Sequence, residues 1–148
     1  VEIDSQIDKI VVRKSDNCLK KVDIKTMPYP GFATDLQAPL TALLTQAVGN
    51  SSVTETIYKE RFKHCQQLNK MGANIIITPP SAIVVGPTSL SGTDVWATDL
   101  RCGAALVIAA LMAKGTTIIH DIYHIDRGYE DIVSKLSDLG ANIRREII

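Results

Sequence analysis

The chain repeats itself. Thr34-Asp35-Leu36-Gln37 returns as Thr98-Asp99-Leu100-Arg101, Ile57-Tyr58 as Ile122-Tyr123, and Arg61 as Arg127. Met71-Gly72-Ala73-Asn74-Ile75 returns as Leu139-Gly140-Ala141-Asn142-Ile143. The offset drifts only from about 64 to about 68 residues along the unit, a regularity that chance rarely makes. Whatever one copy folds into, the other must fold into as well. The copies run approximately over residues 20–85 and 92–148, and no linker rich in Gly, Pro or Ser divides them.

Each copy reads in the same order. A short extended run, 22–26 and then 94–97, leads into an almost wholly apolar helix, about 35–48 and 99–113. A helix apolar on all sides belongs in an interior. Thr34 with Gln37 has the spacing of a capping box, in which each side chain satisfies a free backbone donor of the other residue. A β-rich run follows, 53–58 and 116–123, and then an amphipathic helix, 61–71 and 128–139. Gly72 and Gly140 stand where a left-handed C-cap belongs. The unit closes on 74–78 and 142–147. A hairpin-like run, 81–85 with 88–90, links the copies, and Asp16-Asn17 predicts a further hairpin between 10–13 and 19–24. The order β-α-β-α-β-β, given twice, predicts an α/β fold with mixed sheets around buried helices.

Composition narrows the class. The chain has 148 residues, 45% of them hydrophobic, enough for one domain and against disorder. Its 16 basic and 16 acidic residues balance, which argues against a broad nucleic-acid surface. No stretch is apolar enough to span a membrane. Three widely spaced cysteines, Cys18, Cys65 and Cys102, form neither a disulfide framework nor a zinc pattern, and a reducing cytoplasm fits them. No glycine-rich phosphate loop is present, and neither a cofactor nor a metal is expected. The start at Val1 carries no signal-peptide pattern and no initiator Met, which predicts a piece of a longer protein.

The chemistry gathers where the copies match. Asp35 and Asp99 stand at the first turn of the two buried helices, where free N–H groups and the macrodipole favour an anion. Both could simply stabilise helix starts, but Thr supplies the cap in this pattern and each Asp has an Arg nearby in sequence or at a matching later position. Arg61 and Arg127 open the amphipathic helices, a placement that costs a few tenths of a kcal/mol against the macrodipole. A phosphate or carboxylate ligand would account for it, since Arg grips both in a bidentate way; a solvated Arg or an internal salt bridge is the alternative. Arg101, two residues after Asp99, joins Asp121, His124, Asp126 and Arg127 in a predicted Asp/Arg/His cluster suited to a multiply charged small molecule. Trp96, His64, Cys65 and His120 read as packing or surface residues, and Cys102 as a small side chain matching Ala38.

At these residues the chain resembles a known family. Pro28-Tyr29-Pro30-Gly31-Phe32-Ala33-Thr34-Asp35-Leu36-Gln37-Ala38 is similar to a signature of UDP-N-acetylglucosamine 1-carboxyvinyltransferases. So are Thr54-Glu55-Thr56-Ile57-Tyr58 with Arg61-Phe62, Ala97-Thr98-Asp99-Leu100-Arg101, and Tyr123-His124-Ile125-Asp126-Arg127-Gly128-Tyr129-Glu130. The resemblance covers nearly the whole chain. It implies the enolpyruvyl transferase inside-out barrel, of which this chain holds about two of the three β-α-β-α-β-β units of one domain. It implies transfer of enolpyruvyl from phosphoenolpyruvate to the sugar 3-hydroxyl of UDP-N-acetylglucosamine, the opening of peptidoglycan synthesis in the cytoplasm. It gives Asp35 the sugar and the role of base, Ile57 a main-chain contact with the UDP-sugar, and Asp99 a place facing the reacting centre. Arg101 and Arg127, with Arg61 near, hold phosphoenolpyruvate in this picture. The reactive-cysteine loop and several anion-binding residues belong to a missing N-terminal domain, so the expected partners are the two substrates and that domain, and this chain alone should be inactive. A non-catalytic binding module, a truncated paralogue and a piece of the shikimate-type transferase are the alternatives.

Overall fold

The computed structural model describes residues 2–13 and 18–146. Its strands are β1 (Glu2–Ser5), β2 (Ile10–Arg13), β3 (Ile24–Lys25), β4 (Gly49–Thr54), β5 (Asn74–Thr78), β6 (Ser81–Gly86), β7 (Asp94–Trp96) and β8 (Ile118–His120). The helices are α1 (Gln37–Leu44), α2 (Lys63–Lys70), α3 (Leu100–Met112), α4 (Tyr123–Asp126) and α5 (Ile132–Asp138). A 3-10 turn, Thr34–Leu36, precedes α1.

β3 and β4 pair in parallel with α1 between them, and β7 and β8 pair in parallel with α3 between them. In the first case the sheet continues: β6 lies antiparallel to β4 on one side and to β5 on the other, giving the order β3-β4-β6-β5. The apolar sequences of α1 and α3 bury them against each other. Ala38 and Ala42 meet Cys102, Ala105, Leu106 and Ala109 in one core with Val53, Ala82 and Val84 of the sheet and Leu68 of α2. Fully burying a side chain such as Leu68 or Leu106 contributes about 1.5–3 kcal/mol. Gly72 and Gly140 both have positive φ, +95° and +92°, as their place after a helix requires.

Several local expectations fail. β2 pairs with β1, not with 19–24, whose Ile24 joins β4; the Asp16-Asn17 turn lies outside the described residues. β6 makes its hairpin with β5, and residues 88–90 form no strand, because β6 already has a partner on each edge. Residues 142–146 form no strand. The capping box is not made: a three-residue 3-10 turn stands before α1, which begins at Gln37, Thr34 turns its hydroxyl to Glu55, and both amide atoms of the buried Gln37 lack partners. Neither arginine opens a helix. Arg61 precedes α2, which begins at Lys63, and Arg127 is the C-cap of α4, where a cation agrees with the helix dipole.

Candidate functional site

Three of the expected residues meet at one carboxylate. Arg101 Nε donates to Asp35 Oδ1 at 2.6 Å, and Arg61 Nη1 donates to the same oxygen at 3.3 Å. The 3-10 turn holds Asp35 outward, with 64% of its side chain exposed, while the arginines are 30% and 19% exposed. The hydrogen bond from Arg101, with the two guanidinium charges, outweighs a small burial effect and holds the Asp35 carboxyl below its usual range. A raised value suited to base work is therefore absent while both arginines are in place. Arg61 also lies 4.0 Å above the centre of the Tyr58 ring, a cation–π contact that steadies its long side chain.

Asp99 serves its own helix. Its Oδ1 accepts from the backbone N–H groups of Arg101 at 2.8 Å and Cys102 at 3.1 Å, so Asp99, and not Thr98, caps α3. That cap fixes the first turn of α3 and with it the base of the Arg101 side chain. Burial pushes the Cys102 thiol up, so the helix N-terminus does not make it a thiolate.

Two hollows are lined by members of this trio, one by the two arginines and the other by Asp35. A cleft of about 440 Å³ is lined by Tyr58, Arg61, His64, Thr98, Asp99 and Arg101, together with Lys59, Glu60 and Lys63. Its cations Lys59, Arg61, Lys63 and Arg101 outnumber its acids Glu60 and Asp99, which suits an anion. A second hollow of about 340 Å³ is lined by Met27, Pro28, Tyr29, Thr34, Asp35 and Ile57. Ile57 is 38% exposed, and its N–H is already taken by Glu55 Oε1 at 2.9 Å.

Arg127 makes no hydrogen bond or ion pair with this trio. Among the described residues it makes no ion pair, and Asp126 is held by Arg145 at 2.6 and 3.0 Å, so the expected Asp/Arg/His cluster does not form as a unit. A Cβ at Gly128 would come within 2.6 Å of Leu100, which puts the end of α4 against the first turn of α3, the turn that carries Arg101. No group of three His, Cys, Asp or Glu side chains suited to a metal occurs among the described residues, and no helix there is long and apolar enough to cross a membrane.

Two site residues went unrecognised in the sequence. Glu55 is fully buried, yet its carboxylate accepts four hydrogen bonds, from Thr26 Oγ1, Thr34 Oγ1, Ile57 N and Tyr58 N. The alternation Ser51, Val53, Glu55 at the end of β4 is the signal that points it inward. His64, 2% exposed, lines the cationic cleft; burial, against the pull of the Asp99 charge, lowers its pKa to about 4.

Against known proteins, the family described as EPSP synthase (3-phosphoshikimate 1-carboxyvinyltransferase) matches residues 1–136. UDP-N-acetylglucosamine 1-carboxyvinyltransferase 2 of Geobacillus kaustophilus is 57% identical over 146 residues, 99% of this chain and 34% of that protein. The protein of the same name from Listeria monocytogenes is 54% identical over 145 residues, 98% of this chain and 34% of its own length. The enolpyruvyl transferase NikO from Streptomyces tendae superposes with a TM-score of 0.89 at 32% identity, over 97% of this chain and 33% of that one. An EPSP synthase structure from Acinetobacter baumannii, at 21% identity and a TM-score of 0.55, shares the fold over 76% of this chain and 27% of its own. The chain thus spans about a third of the length of the curated relatives it matches. On the extent of that match and the shared architecture, the chain belongs to the EPSP synthase (3-phosphoshikimate 1-carboxyvinyltransferase) family and has the enolpyruvyl transferase fold.

Proposed function

We propose that the protein containing this chain moves the enolpyruvyl group of phosphoenolpyruvate to the sugar 3-hydroxyl of UDP-N-acetylglucosamine, with release of phosphate, as the first committed step of peptidoglycan synthesis in the cytoplasm. The observation that carries this is Asp35 on the wall of one hollow, its carboxylate shared by Arg61 and Arg101, which line the other. The names of relatives 54–57% identical to the chain support the choice of substrates. The hollow at Ile57 and Asp35 would take the UDP-sugar, and the cationic cleft the phosphate and carboxylate of phosphoenolpyruvate. Fixed guanidinium groups stabilise such charge without reorganising. As the bound anion offsets the charge of Arg61 and Arg101 in place, Asp35 loses part of the attraction that depresses its pKa and becomes the better acceptor for the 3-hydroxyl proton. Asp99 holds Arg101 in register from behind. Residues 20–85 and 92–148 act as two copies of one unit of a partial domain, and this chain alone is inactive.

The family description also names a 3-phosphoshikimate enzyme, so the acceptor is the point to test. Phosphate release from phosphoenolpyruvate by the full-length protein should depend on UDP-N-acetylglucosamine and not on shikimate 3-phosphate. Release with shikimate 3-phosphate alone would make it the shikimate-type enzyme, and no release with either acceptor would favour a binding module. Arg127→Ala in the same protein should raise the KM for phosphoenolpyruvate about tenfold, as expected for one lost charge-assisted contact. An unchanged KM would remove Arg127 from the anion site.

A further inference from the structure

Glu55 lines neither hollow, yet two of the contacts that line up Arg61, those with Thr34 and Tyr58, lead back to it. Its Oε2 accepts from Thr34 Oγ1 at 2.8 Å. A hydroxyl has one hydrogen to give, so Thr34 can only accept from Arg61 Nη1, which lies 2.9 Å away. The direction of the chain Arg61 to Thr34 to Glu55 is therefore fixed at both ends, by a guanidinium that only donates and a carboxylate that only accepts. Glu55 Oε1 meanwhile accepts from the N–H groups of Ile57 at 2.9 Å and Tyr58 at 3.1 Å. That pins the loop whose Tyr58 ring lies under the Arg61 guanidinium. The same oxygen accepts from Thr26 Oγ1 at 2.7 Å, anchoring the carboxylate to the strand end beyond β3. One buried carboxylate so fixes Arg61 from both faces and, through Thr34, the turn that carries Asp35.

We propose that Glu55 is a positioning residue for the transfer reaction, holding Arg61 and Asp35 in register through the Thr34 hydroxyl and the Ile57–Tyr58 backbone. This rests on the function proposed above. Burial alone would raise the Glu55 pKa, but the hydrogen bonds from Thr26, Tyr58, Thr34 and Ile57 prevail and hold it below the usual range. Glu55 is thus ionised at neutral pH, and its charge is what polarises the relay.

The test uses the full-length protein and two positions. Thr34→Val removes the relay and leaves the other three bonds to Glu55. It should lower kcat about fivefold while the KM for UDP-N-acetylglucosamine stays within about twofold and the melting temperature holds. Thr34→Ser, which keeps the hydroxyl, should recover most of the loss. Glu55→Gln places an amide against Thr34 and should lower kcat similarly. The double variant should lose no more than the worse single one, because both break the same link. Additive losses, or a Thr34→Val kcat equal to the parent's, would overturn the proposal. If Glu55→Gln fails to fold, the Thr34 pair still decides it. Should the parent show no transfer at all, the function proposed above falls instead. The relay is then read from binding of inorganic phosphate to the Arg61 cleft, which Thr34→Val should weaken and Thr34→Ser should not; equal affinities would overturn it there too.

Discussion

Asp35→Asn in the full-length protein is expected to lower turnover by about 100-fold or more and to leave the melting temperature near the parent's. The two halves of this expectation come from different features of the site. Asn keeps the size of Asp and its capacity to accept a hydrogen bond, but it cannot take a proton. Stability should barely move, because Asp35 is largely exposed and supports no helix cap. Exposed ion pairs such as those it makes with Arg61 and Arg101 contribute about 0–1 kcal/mol each. The depressed pKa gives the sign of the pH effect. Before phosphoenolpyruvate arrives, Asp35 stays ionised at all pH values above its ordinary 3.8, so its ion pairs weaken only on acidification below that value. A variant that turns over like the parent would end the role of Asp35 as base. One that loses turnover but still binds the UDP-sugar would favour a base over a mere contact, and some loss of sugar affinity is expected as well.

His64 gives the second large effect, this time on stability. Burial lowers its pKa from 6.5 to about 4, so between those values the unfolded chain takes up a proton that the folded chain excludes. Stability is therefore complete above about pH 6.5 and falls as the pH drops toward 4, by about 3 kcal/mol in all. From about pH 7.5 to about pH 5 the loss should be about 2 kcal/mol. His64→Gln, which does not titrate, should shed this dependence. The parent's advantage in melting temperature over His64→Gln should shrink across that range, and the His64 ring should not titrate by NMR above about pH 5. A ring that titrates near 6.5 would mean that the cleft admits solvent to it.

The repeated residues made the buried apolar helix of each copy legible in the sequence. α3 and β5 lie within a residue of their expected spans, because a long apolar run and a strand before a turn each carry their own period. What failed were features decided by partners distant in the chain. Whether β6 pairs with β5, and β2 with β1, depends on which edges are free, and no local pattern records that. The Thr34 cap was lost to Glu55, 21 residues on, and the Asp99 cap won over Thr98 by geometry at the helix start. The site divides the same way. Asp35 and Arg61 declared themselves by charge at matching positions and Arg101 by its charge at the start of an apolar helix, whereas Glu55 and His64 are defined by burial. Arg127 was expected on a helix start and sits instead on a helix end, because the short α4 interrupts the segment.

In the proposed function, this third of the protein supplies the sugar-binding face of a UDP-N-acetylglucosamine transferase. The most direct measurement is a crystal structure of the full-length protein with UDP-N-acetylglucosamine bound. The sugar should lie in the hollow between Ile57 and Asp35, with its 3-hydroxyl at about 2.6–3.2 Å from the Asp35 carboxylate. A UDP-sugar seated away from both residues, with Asp35 still locked to Arg61 and Arg101, would contradict it.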